Sequence, residues 1–283
     1  MHFARALWLR IETIHAVIYF ASEPAAGANE LGLSGFWMGY FGFRAAPMGR
    51  VEAGVVEACF FNFAGSFVDR WVPAVWDCAS PAALLDVRRE SAAASLCSIA
   101  GTEAPTAAAL VNDRLAAAVD RGSPSGRPLF AANRRLGLPN DPVEAMWHLC
   151  TTLREHRGDG HVAALTAEGI DGIEAHVLIS LDLDLAPEDL QRARGWTAHD
   201  WDDAVRRCAD RGFVDGRGAL TSAGRKIRSD IEGVTDERAS SPFAVLNADE
   251  RAALIDALDP LARAISASGV IRYPNPMGLP SVS

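Results

Sequence analysis

The apolar residues at the start of this chain recur at the spacing of an α-helix, and that pattern limits the fold more than any other feature. Phe3, Leu7, Trp8, Ile11, Ile14, His15, Ile18 and Tyr19 share one face when the chain turns by about 100° per residue. A stripe this wide must be covered by other elements. Helical periodicity returns over 80–100, 106–120 and 248–268. A further helix is expected to start at Asp141-Pro142, with Asp141 as N-cap and proline in the first turn. It should run to about His156, be interrupted by Gly158-Asp159-Gly160, and resume as far as Glu168. Asp171 with Glu174 three residues on reads as the capping box of the next helix.

Residues 186–238 change character: two short helices, a turn at Asp215-Gly216, then a long helix entered through Thr221. The fold class expected is therefore all-α, predominantly helical, with a C-terminal winged-helix module containing one small β-hairpin. Composition divides the chain in the same spirit. Residues 1–76 hold 15 of the 22 aromatics, and a Gly/Pro/Ser-rich break follows at 121–128. Three parts are expected: an aromatic-rich helical unit over 1–120, a central helical segment over 121–185, and the winged-helix module with the last helix over 186–283.

The stretch RGFVDGRGALTSAGRKI resembles the MarR-like winged-helix proteins. Through FWMGYFGFRAAPMG, EHRGDGH and YPNPMGLP the whole chain also resembles a poorly characterised actinobacterial family that carries a helix-turn-helix label. The MarR-like resemblance implies a homodimer and DNA binding, with Arg217, Arg225, Lys226 and Arg228 as the basic cluster. Charge argues against DNA. The chain's formal net charge is −9, and residues 186–238 carry ten Arg/Lys against eleven Asp/Glu. A module that neutralises phosphates needs a basic surface.

Forty-nine per cent hydrophobic content supports a full core, and five scattered cysteines without C-x-x-C spacing signal neither disulfides nor a thiolate zinc site. No apolar run is long enough to span a bilayer or serve as a signal segment, so a cytoplasmic protein is expected. The dinucleotide, P-loop, nucleophile-elbow and H-E-x-x-H motifs are absent.

Chemistry could reside in three places. His15 falls on the apolar face of the first helix with Glu12 at i−3; it is either a core histidine satisfied by a carbonyl or tyrosine, or a pocket histidine oriented by Glu12. Glu155, His156, Asp159 and His161 crowd around two glycines. With His15 and Glu12, the first three are the candidate catalytic groups, and His15, His156 and His161 are candidate ligands for a metal or haem. Arg154 falls on an apolar arc and so needs a carboxylate partner. Finally, Trp8, Tyr19, Trp37, Tyr40, Arg44 and Asn62, with Arg154, place polar groups within the most aromatic third of the chain, the usual make-up of a small-molecule site. The expected function is a small-molecule-binding protein with a His/carboxylate apolar pocket, plausible as a metal- or haem-dependent enzyme of specialised metabolism. The alternative is a MarR-like, ligand-responsive transcriptional regulator.

Overall fold

A computed structural model describes residues 2–282. The elements are α1 (Phe3–Phe20), α2 (Ser22–Glu30), α3 (Gly35–Ala45), α4 (Ala53–Phe60), α5 (Gly65–Val68), α6 (Val72–Cys78), α7 (Pro81–Ala100), α8 (Glu103–Arg121), α9 (Pro128–Arg134), α10 (Pro142–Ala167), α11 (Gly172–Leu183), α12 (Pro187–Arg194), α13 (Ala198–Asp210), α14 (Ser222–Ser240) and α15 (Ala248–Ala267). None of these helices is long and apolar enough to cross a membrane.

Helix α10 is the axis, packed by α1, α7, α8, α9 and α14. Asp141 caps it by accepting from the Val143 and Glu144 N–H groups, with Pro142 in the first turn. The expected interruption at Gly158-Asp159-Gly160 does not occur: α10 runs unbroken for 26 residues. Neighbours on several sides hold the helix together where glycine propensity alone would weaken it. They also bury the arc that looks polar in sequence, including His148, Thr152, Glu155 and Asp159. The same holds for α1, where Glu12 is buried along with the apolar stripe. The last helix lays Leu254, Leu258, Leu261 and Ile265 on α1, α7 and α8 of the same chain.

Two hydrophobic cores meet along α10. The larger gathers α1 to α9, the first half of α10, and α15. The smaller joins the end of α10 to α11–α14 through residues such as Leu165, Ile173, Val177, Leu190, Trp201 and Ile231. Within the smaller one, α12 and α13 form a helix-turn-helix joined at Gly195, whose φ of 77° requires glycine. Thr197 and Asp200 then make a capping box for α13.

The winged-helix hairpin is not formed, and with it the MarR-like reading falls. Among the described residues there is no β-strand, only an isolated bridge between Val214 and Leu220. The reason is how the connection is closed. Just 11 residues separate Asp210, the end of α13, from Ser222, the start of α14. Asp215 closes the loop by accepting from the Arg217 and Ala219 N–H groups, and Thr221 already caps α14. Nothing is left from which to extend a ladder.

Candidate functional site

A cavity of about 390 Å³ lies where the two cores meet, within the range of small-molecule sites. One wall is aromatic: Trp8, Tyr19 and Phe20 from α1, Phe36, Trp37 and Tyr40 from α3, and Phe60 and Phe63 around the end of α4. The opposite wall belongs to the helix-turn-helix region, with Ala175, His176 and Ile179 of α11, Ala193 and Arg194 of α12, and Arg228 of α14. Pro276 and Met277 of the C-terminal segment complete it.

Helix α10 supplies the floor. Arg154, Arg157, Gly158, His161 and Val162 line the cavity, the i, i+3, i+4, i+7, i+8 positions of one helical face. His156 and Asp159 point the other way, toward α9. His156 packs edge-on against Phe130 at 4.8 Å, and burial followed by the charge of Arg127 lowers its pKa to about 3. Asp159 accepts from the Phe130 N–H at 2.9 Å and so caps α9. Burial first, and the charge of Glu155 second, push its carboxyl up to about 7.

Glu155 lies between those two faces. Arg44 bonds it with both Nε and Nη2, at 3.0 and 3.2 Å, and Arg154 Nη1 lies 3.0 Å from Oε1. Burial alone would raise this carboxyl, but Arg154 and Arg44 outweigh it and hold the pKa at about 2. Arg154 also bonds Glu12 through Nε at 3.2 Å, and Trp8 Nε1 donates to Glu12 at 3.1 Å. The carboxylate partners that Arg154 requires are therefore Glu12 and Glu155.

His15 sits one layer behind the cavity and does not line it. Its Nδ1 is 2.9 Å from Thr151 Oγ1 and its Nε2 is 3.0 Å from the Tyr19 hydroxyl. Burial, reinforced by Arg154, keeps its pKa well below the ordinary value, so the ring is neutral. Tyr19 stands between it and the lumen, 4.9 Å from Tyr40.

The histidines do not converge, and their assignment as shared ligands of one metal ion is corrected accordingly. His15 is tied to Thr151, His156 faces Phe130, and His161 Nδ1 bonds Thr235 Oγ1 at 3.0 Å on α14. Among the described residues no group of three or more His, Cys, Asp or Glu could hold a metal ion. Helix α10 is the physical cause: residues 156 and 161, five apart, differ by about 500°, which puts them some 140° apart around the axis.

Three polar residues of the cavity wall, Arg157, His176 and Arg194, carried little or no signal in the sequence. Arg194 and Arg157 look like ordinary helical arginines. His176 carried a faint signal, a lone histidine among Ile173, Val177 and Ile179. His176 is buried, its Nε2 has no hydrogen-bond partner, and burial with the charge of Arg194 lowers its pKa to about 3. The basic cluster expected to meet DNA divides. Arg217, Arg225 and Lys226 are exposed, whereas Arg228 bonds Asp182 at 2.9 Å and lines the cavity.

No curated protein and no solved structure matches the chain. A family model described as a helix-turn-helix family matches residues 4–272. That span includes α12 and α13, joined through Gly195, and nearly all of the aromatic body. The chain belongs to this helix-turn-helix family.

Proposed function

We propose that this protein binds a small molecule in the cavity between its aromatic body and helices α11, α12 and α14. The observation that carries the reading is the shared wall. The lumen is bounded on one side by α1 and α3 and on the other by the helix-turn-helix region, so an occupant touches both cores at once. Small-molecule sites favour such junctions, and an apolar lining with a few fixed polar groups supports specific recognition. Titrating the purified protein with the neutral dye Nile red tests it. Saturable fluorescence is expected, and Ala175→Trp, which fills the lumen from α11, should weaken binding at least about tenfold without lowering the melting temperature. Non-saturable binding, or binding unaffected by Ala175→Trp, overturns the reading.

Family membership supports a second reading, in which the occupant adjusts α12 and α13 and thereby contact with DNA. Its charge is unfavourable: α13 carries four aspartates against two arginines, and Asp203 already pairs with Arg206. Fluorescence anisotropy on genomic DNA fragments decides it. Binding that falls with salt and with loss of Arg225 or Lys226 supports a regulator; no binding at low salt rejects one.

A further inference from the structure

Five guanidinium groups face the cavity, and four have carboxylate partners. Arg44 meets Glu155, Arg154 meets Glu12 and Glu155, Arg157 meets Glu232 and Asp236, and Arg228 meets Asp182. Arg194 is the exception. Its Nη groups donate only to the carbonyls of Ala193 and Pro276, at 3.0 and 3.1 Å, and its buried Nε has no partner among the described residues. Burial accordingly lowers its pKa. A desolvated guanidinium without an acid is costly, and the remedy is an anion.

Two further unsatisfied polar atoms lie in the same part of the lining. His176 is 5% exposed and its Nε2 is unpartnered. Asn62 Oδ1 is also buried and unpartnered. The backbone ties Asn62 to Arg194: Ala64 N–H donates to the Arg194 carbonyl at 3.0 Å, and Trp196 Nε1 donates to the Asn62 carbonyl at 3.0 Å. The Arg194 guanidinium lies over the Phe63 ring, 4.9 Å from its centroid.

We propose that the cavity takes a flat, apolar carboxylic acid, its carboxylate held by Arg194 and His176 and its body lying among Trp37, Tyr40 and Phe63. The claim rests on the ligand-site reading above and names the ligand's class. One unpaired guanidinium beside a neutral imidazole supplies a single positive charge and N–H donors, which suits a monoanionic carboxylate better than a dianionic phosphate. Aromatic side chains around the lumen favour a planar body that stacks or meets ring edges. Asn62 can accept from a ligand hydroxyl or, with its amide turned over, donate to the carboxylate.

The test is calorimetric titration of the full chain with 2-naphthoate and its neutral isostere 2-naphthamide, and with benzoate and benzamide. An acid is expected to bind at least about tenfold tighter than its amide. Arg194→Gln should abolish that preference, the acids losing at least about tenfold more affinity than the amides. Arg194→Lys, which keeps the charge but loses the fork, should retain part of it and covers the case in which the glutamine variant fails to fold. Equal affinity for acid and amide overturns the proposal, as does an acid preference that survives Arg194→Gln. If no acid binds while Nile red does, the carboxylate assignment is wrong and the ligand-site reading stands. If Nile red fails as well, both fall.

Discussion

Glu155 binds two arginines from different helices with one carboxylate and is 1% exposed. Removing one partner of such a buried cluster leaves the others uncompensated, so Glu155→Gln is expected to cost about 3–5 kcal/mol in urea denaturation near neutral pH. The pH dependence has a definite sign. The folded pKa of about 2 lies below the ordinary 4.5, so this stabilisation is complete above 4.5 and is lost as the pH falls through about 2. In the glutamine variant that part of the acid-induced loss should vanish. Asp159 has the opposite sign. Its folded pKa of about 7 stands above the ordinary 3.8, so its contribution is greatest below 3.8 and declines as the pH rises through 7. Asp159→Asn keeps an acceptor for the Phe130 N–H and removes the buried charge. A gain on the order of 2 kcal/mol is expected at pH 8, with a smaller gain at pH 5.

Helix α10 contains two glycines that differ in their surroundings. A Cβ on Gly158 would meet only Glu155 Oε2, at an ordinary 3.5 Å. A Cβ on Gly160 would lie 2.8 Å from Arg127 Nη1, which donates to the His156 carbonyl at 3.2 Å. Gly158→Ala should therefore gain up to about 1 kcal/mol from helix propensity. Gly160→Ala should show little or no gain, because the arginine must leave its bond. Thermal denaturation of the two variants side by side checks the contrast, and equal gains would refute the role given to Arg127.

The two cores are held in register by close backbone approach as well as by side chains. A Cβ on Gly172, at the start of α11, would sit 2.1 Å from the Phe61 carbonyl oxygen, and one on Gly195 would sit 2.3 Å from Phe67 Cβ. Backbone cannot rotate aside as a side chain can. Gly172→Ala is expected to cost about 1–3 kcal/mol and to weaken Nile red binding, since it pushes α11 away from the aromatic wall. Loss of stability with unchanged dye affinity would mean that this contact does not set the width of the cavity.

Local signals made much of the helical framework legible. The start of α10 at Asp141-Pro142, the capping box at Asp171 and Glu174, and the apolar face of α15 depend on residues within a few positions of one another. The demand of Arg154 for a carboxylate was legible too, because a cation on an apolar arc is costly without a charge partner. The partners themselves were not. Glu12 lies 142 positions away in the chain, and only the packing of α1 on α10 brings them to 3.2 Å. Tertiary packing also kept α10 continuous through its glycines, and the loop closed by Asp215, followed at once by the Thr221 cap, left a single bridge in place of the hairpin. Sequence periodicity placed His15 on a buried face but could not say that Tyr19 stands between it and the lumen. Arg194 and His176 were illegible as a pair because nothing local joins residues 18 positions apart on separate helices. Periodicity and capping are local and can be read along the chain; the pairing of buried charges and the shape of a cavity depend on which helices meet, and that is decided in three dimensions.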